Sequence, residues 1–170
     1  IVMPITTPSI KVDSVKNYGG KVILKGDNFD EAFKYAEELA KKENYTFIHP
    51  YDDRDVIAGQ GTVGKELIEQ IENGLDAVFV PVGGGGLLAG LGSYIKSVNP
   101  KIKIIGVEPE DAACLKLALD NNKRLSLAEV GLFADGVAVK QIGKNTFSLI
   151  RQWIDDVITV SVDEMCAAVQ

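Results

Sequence analysis

The stretch of this sequence best suited to chemistry is a run of four consecutive glycines at residues 83–86. Without Cβ atoms the backbone can turn sharply there and bring its N–H groups close to an anion. A helix that begins directly after the glycines would add unpaired N–H groups and the positive end of its dipole. The residue types and their spacing therefore predict a phosphate-binding loop built from main-chain donors.

Two elements must position this loop. Residues 77–82 are apolar and β-branched, which predicts a buried strand, and the small-residue segment that starts at Leu87 predicts a helix. The same alternation runs through the whole chain and predicts an α/β fold, with parallel sheets covered by helices on both faces. The other predicted strands are residues 1–4, 22–24, 45–48, 102–107 and 157–160.

Local signals mark several helix ends. Thr7 before Pro8 predicts one N-cap, the turn Gly26-Asp27-Asn28 predicts a second cap, and Ser161 with Glu164 forms a capping box. Gly59 and Gly61 lie near the start of another predicted helix. Each glycine there costs about 1 kcal/mol of helix stability relative to alanine, so we expect close packing or a nearby ligand to explain them.

Composition limits the possible functions. The chain has 170 residues, a net charge of −6 and scattered basic residues, which argues against nucleic acid or an anionic membrane as a partner. The two cysteines, Cys114 and Cys166, match no metal-ligand spacing and are expected to be buried free thiols in a reducing cytoplasm. A single histidine, His49, excludes a site with two histidine ligands.

The glycine run alone does not show which molecule carries the phosphate. Gly84, Gly86 and Ala89 fit the looser dinucleotide fingerprint, and Glu108 ends the next strand where a ribose-binding acid would lie. A Walker loop is excluded because no Gly-Lys-Ser/Thr follows the glycines.

The chain begins with Ile1 rather than Met, and its last helix reaches Gln170 without a capping signal. We therefore expect a segment of a longer protein, incomplete at both ends. The polar, aperiodic residues 49–54 are interpreted as a connector between two lobes.

Five stretches resemble the fold-type II pyridoxal-phosphate enzymes, specifically the threonine dehydratase family, with serine racemase as a close relative. They are IVMPITTPSIKV (1–12), VIAGQGT (56–62), VPVGGGGL (80–87), GVEPEDAACLK (106–116) and GLFADGVAV (131–139). The resemblance implies that residues 1–48 are part of the smaller lobe of such an enzyme. Residues 49–170 would then be part of the larger lobe, which carries the tetraglycine loop.

The resemblance also implies the cofactor, pyridoxal 5′-phosphate, and the residues that hold it. The loop that binds its 5′-phosphate corresponds to Gly83, Gly84, Gly85, Gly86 and Leu87, and Gly136 corresponds to the glycine beside the cofactor ring. The family's Schiff-base lysine lies in a Ser-x-Lys-x-Arg-Ala motif that is absent from this chain, so no catalytic residue is assigned here. The segment alone is therefore expected to be inactive.

By resemblance, the reaction converts L-threonine to 2-oxobutanoate and ammonia in isoleucine biosynthesis, in a cytoplasmic homo-oligomer. A serine racemase or serine dehydratase of the same fold is the alternative. A nicotinamide dehydrogenase or a non-catalytic nucleotide-binding module is a more distant one. Serine racemase binds a divalent cation with a residue like Glu108, but Cys114 replaces its second ligand, so no metal is expected. Asp135, just before Gly136, is expected either near the site or as a loop cap.

Overall fold

The computed structural model of the protein describes residues 1–169, so the end of the last helix at Gln170 lies outside the described residues. The chain divides into two compact units, Ile1–Ile48 and a second that starts at His49. Their assignment to the smaller and larger lobes of an enzyme stays a prediction.

The first unit holds a small parallel sheet. Its strands are β1 (Val2–Met3) and β2 (Ile23–Leu24), and its helices are α1 (Ser9–Asn17) and α2 (Phe29–Glu43). Asn28 caps α2 as predicted, since its side chain accepts a 3.0 Å hydrogen bond from the N–H of Glu31.

Two predictions in the first unit are wrong. Pro8, not Thr7, is the N-cap of α1, because the helix begins one residue later than expected and no side chain caps it. Residues 45–48 form no strand. Asn44 adopts the left-handed conformation that ends α2, and the N–H of Tyr45 turns back to the carbonyl of Ala40. The segment after that turn therefore pairs with no strand, despite its β-branched and aromatic composition.

The second unit is built on a three-stranded parallel sheet. The strands β3 (Ala77–Pro81), β4 (Lys103–Pro109) and β5 (Asp156–Val160) lie in that order. The prediction of parallel sheets with helices is confirmed. The helices of this unit are α3 (Arg54–Gln70), α4 (Gly86–Val98), α5 (Cys114–Asp120), α6 (Lys144–Ile150) and α7 (Val162–Val169).

The apolar core of the second unit lies around β3, β4 and α4. Alternate strand residues enter it, because successive side chains of a strand point to opposite faces. Val80 and Ile104 come from the strands, while Leu88 and Ile95 come from α4, and all four are essentially inaccessible to solvent. At the far end of the unit, Ser161 and Glu164 form the predicted capping box of α7.

Helices α3 and α4 approach closely through glycines. A Cβ atom on Gly61 would lie 3.3 Å from the carbonyl oxygen of Gly90, and one on Gly64 would lie 2.9 Å from that of Leu91. Close packing thus explains Gly61, as predicted, whereas Gly59 is exposed and a Cβ there would meet nothing within 4 Å. Among residues 1–169, no helix combines the length and apolar character needed to cross a bilayer.

One carboxylate ties α4 to the sheet. The Oδ2 atom of Asp155 accepts a hydrogen bond from the N–H of Ile104 at 2.6 Å and lies 2.7 Å from the ammonium nitrogen of Lys96. Partial burial opposes ionisation of Asp155, but these two donors outweigh it and lower the pKa of the carboxyl group below its ordinary value of 3.8.

The glycines of α3 provide a matched pair of stability tests. We expect Gly64→Ala to lower the free energy of unfolding by about 1–3 kcal/mol, because its methyl group must displace the main chain of α4. Gly59→Ala should raise it by about 0.5–1 kcal/mol, since the helix gains propensity without a clash. Urea unfolding measures both, and equal effects of the two substitutions would contradict the packing described here.

The second stability test concerns pH. Asp155→Asn should lower the free energy of unfolding at pH 7 by about 1 kcal/mol, a value discounted for the partial exposure of the pair. Because the folded-state pKa is depressed, the stabilisation is present above pH 3.8 and is lost as the pH falls through the folded-state value. Urea unfolding from pH 7 to pH 3 should show the two proteins converging, with exposed Glu72→Gln as the control. A difference that stays constant down to the lowest pH would refute the linkage.

Candidate functional site

The four glycines join β3 to α4, as the sequence predicts. The sheet ladder continues one residue past β3, where the N–H of Val82 donates to the carbonyl of Val107 at 2.9 Å. Gly85 then adopts a left-handed conformation with φ 88° and is the N-cap residue of α4. Only glycine enters this region without strain, so this residue permits the sharp turn from strand to helix.

Packing also requires the glycines, a role that the sequence reasoning missed. A Cβ atom on Gly84 would overlap the ring of Tyr51, and one on Gly86 would lie 3.0 Å from the Cβ of Tyr51. On Gly85 it would lie 2.7 Å from the Cδ1 of Ile142. Tyr51 belongs to the segment interpreted as a connector, and no periodicity in the sequence points to its contact with the loop.

The carbonyl groups of the loop are held by the surrounding structure. The carbonyl of Gly83 accepts from the thiol of Cys114 at 3.5 Å. The carbonyl of Gly84 accepts from the hydroxyl of Thr146 at 2.8 Å and from the N–H of Gly143 at 3.2 Å.

The N–H groups of the loop have a different environment. Within residues 1–169, no hydrogen bond has the N–H of Gly84, Gly85, Gly86 or Leu87 as its donor. The three glycines are buried, and buried main-chain donors are nearly always paired in folded proteins. The loop therefore has donors for an acceptor that the described chain does not supply, and the dipole of α4 favours an anionic one.

Gly136 lies in a short 3-10 turn, Asp135–Val137, on the loop between α5 and α6. The turn lines a cavity of about 370 Å³ together with Pro81 and Met165. A Cβ atom on Gly83 would lie 3.1 Å from the Cα of Val137, so the residue after Gly136 meets the start of the glycine loop. Asp135 lines the same cavity, and its carbonyl accepts from the N–H of Ala138 at 3.4 Å.

Glu108 caps a helix. Its side chain is fully buried, and its two oxygens accept 2.8 Å hydrogen bonds from the N–H groups of Leu115 and Lys116 at the start of α5. Burial raises the pKa of this carboxyl group, while those N–H groups act in the opposite direction. Glu108 is therefore engaged within the fold and does not serve as the ribose-binding acid that a dinucleotide site would need. Within residues 1–169, no cluster of three His, Cys, Asp or Glu side chains is arranged to hold a metal.

The remaining candidates have structural contacts. His49 makes structural hydrogen bonds, because its Nδ1 atom accepts from the N–H groups of Tyr51 at 3.3 Å and Asp52 at 2.9 Å. Cys114 is buried as predicted, and burial together with the Glu108 carboxylate raises its pKa to about 12. The prediction of a buried thiol is wrong for Cys166, which is exposed on α7.

A parallel α/β unit with unpaired N–H groups at a strand-to-helix turn has donors that suit an anionic group. The chain matches the family model described as pyridoxal-phosphate dependent enzyme over residues 1–170, and it belongs to that family. The fold prediction is thereby confirmed to the level of fold-type II pyridoxal-phosphate enzymes.

The chain is similar in sequence to threonine dehydratases. It is 56% identical over 170 residues to L-threonine dehydratase biosynthetic IlvA of Haemophilus influenzae, covering all of this chain and 33% of that protein. It is 52% identical to the chloroplastic biosynthetic threonine dehydratase of Arabidopsis thaliana, covering 29% of that protein. The predicted resemblance to threonine dehydratases is confirmed, and the chain spans about a third of the length of these relatives.

Solved structures agree with this similarity. The processed form of threonine deaminase isoform 2 from Solanum lycopersicum superposes with a TM-score of 0.92 and 48% identity, over 99% of this chain and 49% of that one. Maize serine racemase gives a TM-score of 0.92 at 33% identity, over 99% of this chain and 50% of that one.

The two cysteines should differ in reactivity. With a pKa of about 12, about one Cys114 side chain in ten thousand is ionised at pH 8, and the thiol is also buried. Brief iodoacetamide treatment of the native protein should therefore alkylate Cys166 and leave Cys114 unmodified until urea unfolds the chain. Peptide mass spectrometry separates the two sites. Alkylation of both thiols at similar rates in the native protein would contradict the buried hydrogen-bonded position of Cys114.

Proposed function

We propose that this chain is the part of a pyridoxal-phosphate-dependent threonine dehydratase that binds the cofactor's phosphate. The observation that carries the proposal is the set of buried, unpaired N–H groups of Gly84, Gly85 and Gly86 at the start of α4. Sequence identity above 50% to proteins named threonine dehydratase supports the same substrate. The proposed reaction converts L-threonine to 2-oxobutanoate and ammonia, as a step of isoleucine biosynthesis.

The residues of the loop suit a phosphate monoester. Main-chain N–H groups at a helix start bind a dianion without a full countercharge, and glycines let the phosphate oxygens approach the backbone. Gly83, Gly84, Gly85, Gly86 and Leu87 are the proposed phosphate ligands, and Gly136 is proposed to lie beside the ring. When bound, pyridoxal phosphate supplies a ring that accepts negative charge from the α-carbon of an amino acid.

The chain's own contribution is binding and orientation. The described residues hold the loop in place, and they contain no Ser-x-Lys-x-Arg-Ala motif to attach the cofactor. The lysine is proposed to lie in the rest of the protein. We further propose a cytoplasmic homo-oligomer; the unpaired thiols Cys114 and Cys166 suit a reducing compartment.

One alternative function has an observation in its favour. Serine racemase from maize shares the fold with a TM-score of 0.92 at 33% identity, so a serine racemase or serine dehydratase is the second candidate. The higher identity to threonine dehydratases favours threonine as the substrate, with serine as a secondary one.

Activity of the full-length protein tests the proposal. We expect a visible absorbance band that borohydride bleaches, and production of 2-oxobutanoate from L-threonine faster than pyruvate from L-serine. The isolated 170-residue chain should turn over neither amino acid, because it lacks the lysine motif. Interconversion of L- and D-serine without 2-oxobutanoate would favour the racemase instead. A full-length protein that binds nicotinamide dinucleotide and shows no such band would refute the cofactor proposal.

A further inference from the structure

We propose that Thr146, supported by Asp52, is a positioning residue for the cofactor's phosphate. In this inference, the Thr146 hydroxyl holds the carbonyl of Gly84 so that the N–H of Gly85 points at the phosphate. The inference rests on the proposed function, because it assigns a purpose to residues around the same loop. Neither residue was singled out for this role by the sequence.

The contact between Thr146 and the loop is fully buried. Thr146 has no solvent-exposed surface, and its Oγ1 atom lies 2.8 Å from the carbonyl oxygen of Gly84. The N–H of Gly143 donates to the same oxygen at 3.2 Å. Because a carbonyl oxygen has two lone pairs, these donors fill its hydrogen-bonding capacity.

Holding this carbonyl fixes the next N–H group. The peptide unit is planar and trans, so the carbonyl of Gly84 and the N–H of Gly85 point in opposite directions. The unit lies between two glycines, which lack the steric bias of a side chain and let the peptide plane rotate easily. A rotated plane would aim a carbonyl oxygen at the anion. The hydroxyl of Thr146 opposes that rotation.

Asp52 holds the helix that carries Thr146. Its carboxylate accepts hydrogen bonds from the N–H groups of Lys144 at 2.8 Å, Asn145 at 2.7 Å and Thr146 at 3.1 Å. The side chain of Asn145 donates back to the main-chain carbonyl of Asp52 at 2.9 Å. A carboxylate from a remote segment thus caps α6, and it satisfies the donors that would otherwise compete with α4 for an anion.

The segment around Asp52 also contacts the loop directly. The ring of Tyr51 fills the space beside Gly84, while His49 accepts from the N–H groups of both Tyr51 and Asp52. Two adjacent side chains of this segment therefore support the glycine loop, one directly and one through α6. Tyr51 packs against the loop, and Asp52 anchors the helix whose hydroxyl holds it.

Binding of two cofactor forms tests this role in the full-length protein. Pyridoxal lacks the phosphate, so a residue that positions the phosphate ligand affects pyridoxal phosphate alone. We expect Thr146→Val to weaken pyridoxal phosphate binding by about tenfold, roughly the loss of one buried hydrogen bond. The dissociation constant of pyridoxal should change by less than about twofold, well under the tenfold change expected for pyridoxal phosphate. Absorbance titration of the apoenzyme measures both dissociation constants.

Two further variants control the experiment. Thr146→Ser keeps the hydroxyl and should restore the preference for the phosphorylated form. Thr62→Val removes a similar hydroxyl-to-carbonyl bond, 2.8 Å from Thr62 to Gly59, at an exposed site on α3, and should leave the preference unchanged. The 31P chemical shift of the bound cofactor should move in Thr146→Val and not in Thr62→Val, because only the former alters the donors around the phosphate.

The outcomes distinguish a failure of the proposed function from a failure of the role of Thr146. A wild-type protein that binds pyridoxal phosphate no better than pyridoxal would overturn the proposed function, and with it this inference. A wild-type preference that Thr146→Val leaves intact would overturn only the role of Thr146. Equal weakening for both ligands with a lower melting temperature would show a merely structural role and overturn it as well. If Thr146→Val fails to fold, Asp52→Asn is judged by the same ratio.

Discussion

The left-handed backbone of Gly85 is the constraint on which the second unit depends. As the N-cap residue it turns the chain that leaves β3 into the first turn of α4, and this turn sets the direction of the helix that fills the core. Neighbouring side chains use the space that its missing Cβ leaves, with Ile142 and Ile150 packed against it. The same turn leaves the first N–H groups of α4 unpaired within the described chain. The stability of the unit and the proposed anion binding thus depend on one residue, and a side chain there would impair both.

The parts of the fold that depend on local chemistry could be predicted from the sequence. Asn28 and the pair Ser161 and Glu164 cap their helices as expected, because their partners lie three residues away. The strand–glycine–helix unit was predicted from residues that are consecutive in the chain, an apolar β-branched run followed by glycines and a small-residue segment. Residues 45–48 have the composition of a strand but form none, since a strand depends on a partner that composition does not supply.

The main-chain N–H donors of the candidate site could be predicted from the sequence, but the side chains that hold the glycine loop in place could not. Four adjacent glycines before a helix indicate a phosphate from main-chain geometry alone, and the resemblance to a known family narrows that phosphate to pyridoxal phosphate. Tyr51, Asp52 and Thr146 were missed because their contacts join residues far apart in the chain. Their residue types are common in connectors and short helices, so no local pattern distinguishes them. Glu108 is the opposite case. Its position at the end of a strand suggested a ribose-binding acid, but its buried side chain caps α5.

The cap that Asp52 places on α6 has a consequence for the order of assembly. Its carboxylate binds the N–H groups of residues 144–146, and Thr146 in turn binds the glycine loop. These contacts join residues far apart in the chain, so the entropy of loop closure opposes their formation. A chain emerging from the ribosome cannot complete the glycine loop's surroundings until residue 146 has been synthesised. The surroundings of the glycine loop are therefore completed only after the strand and helix that frame the loop have been made.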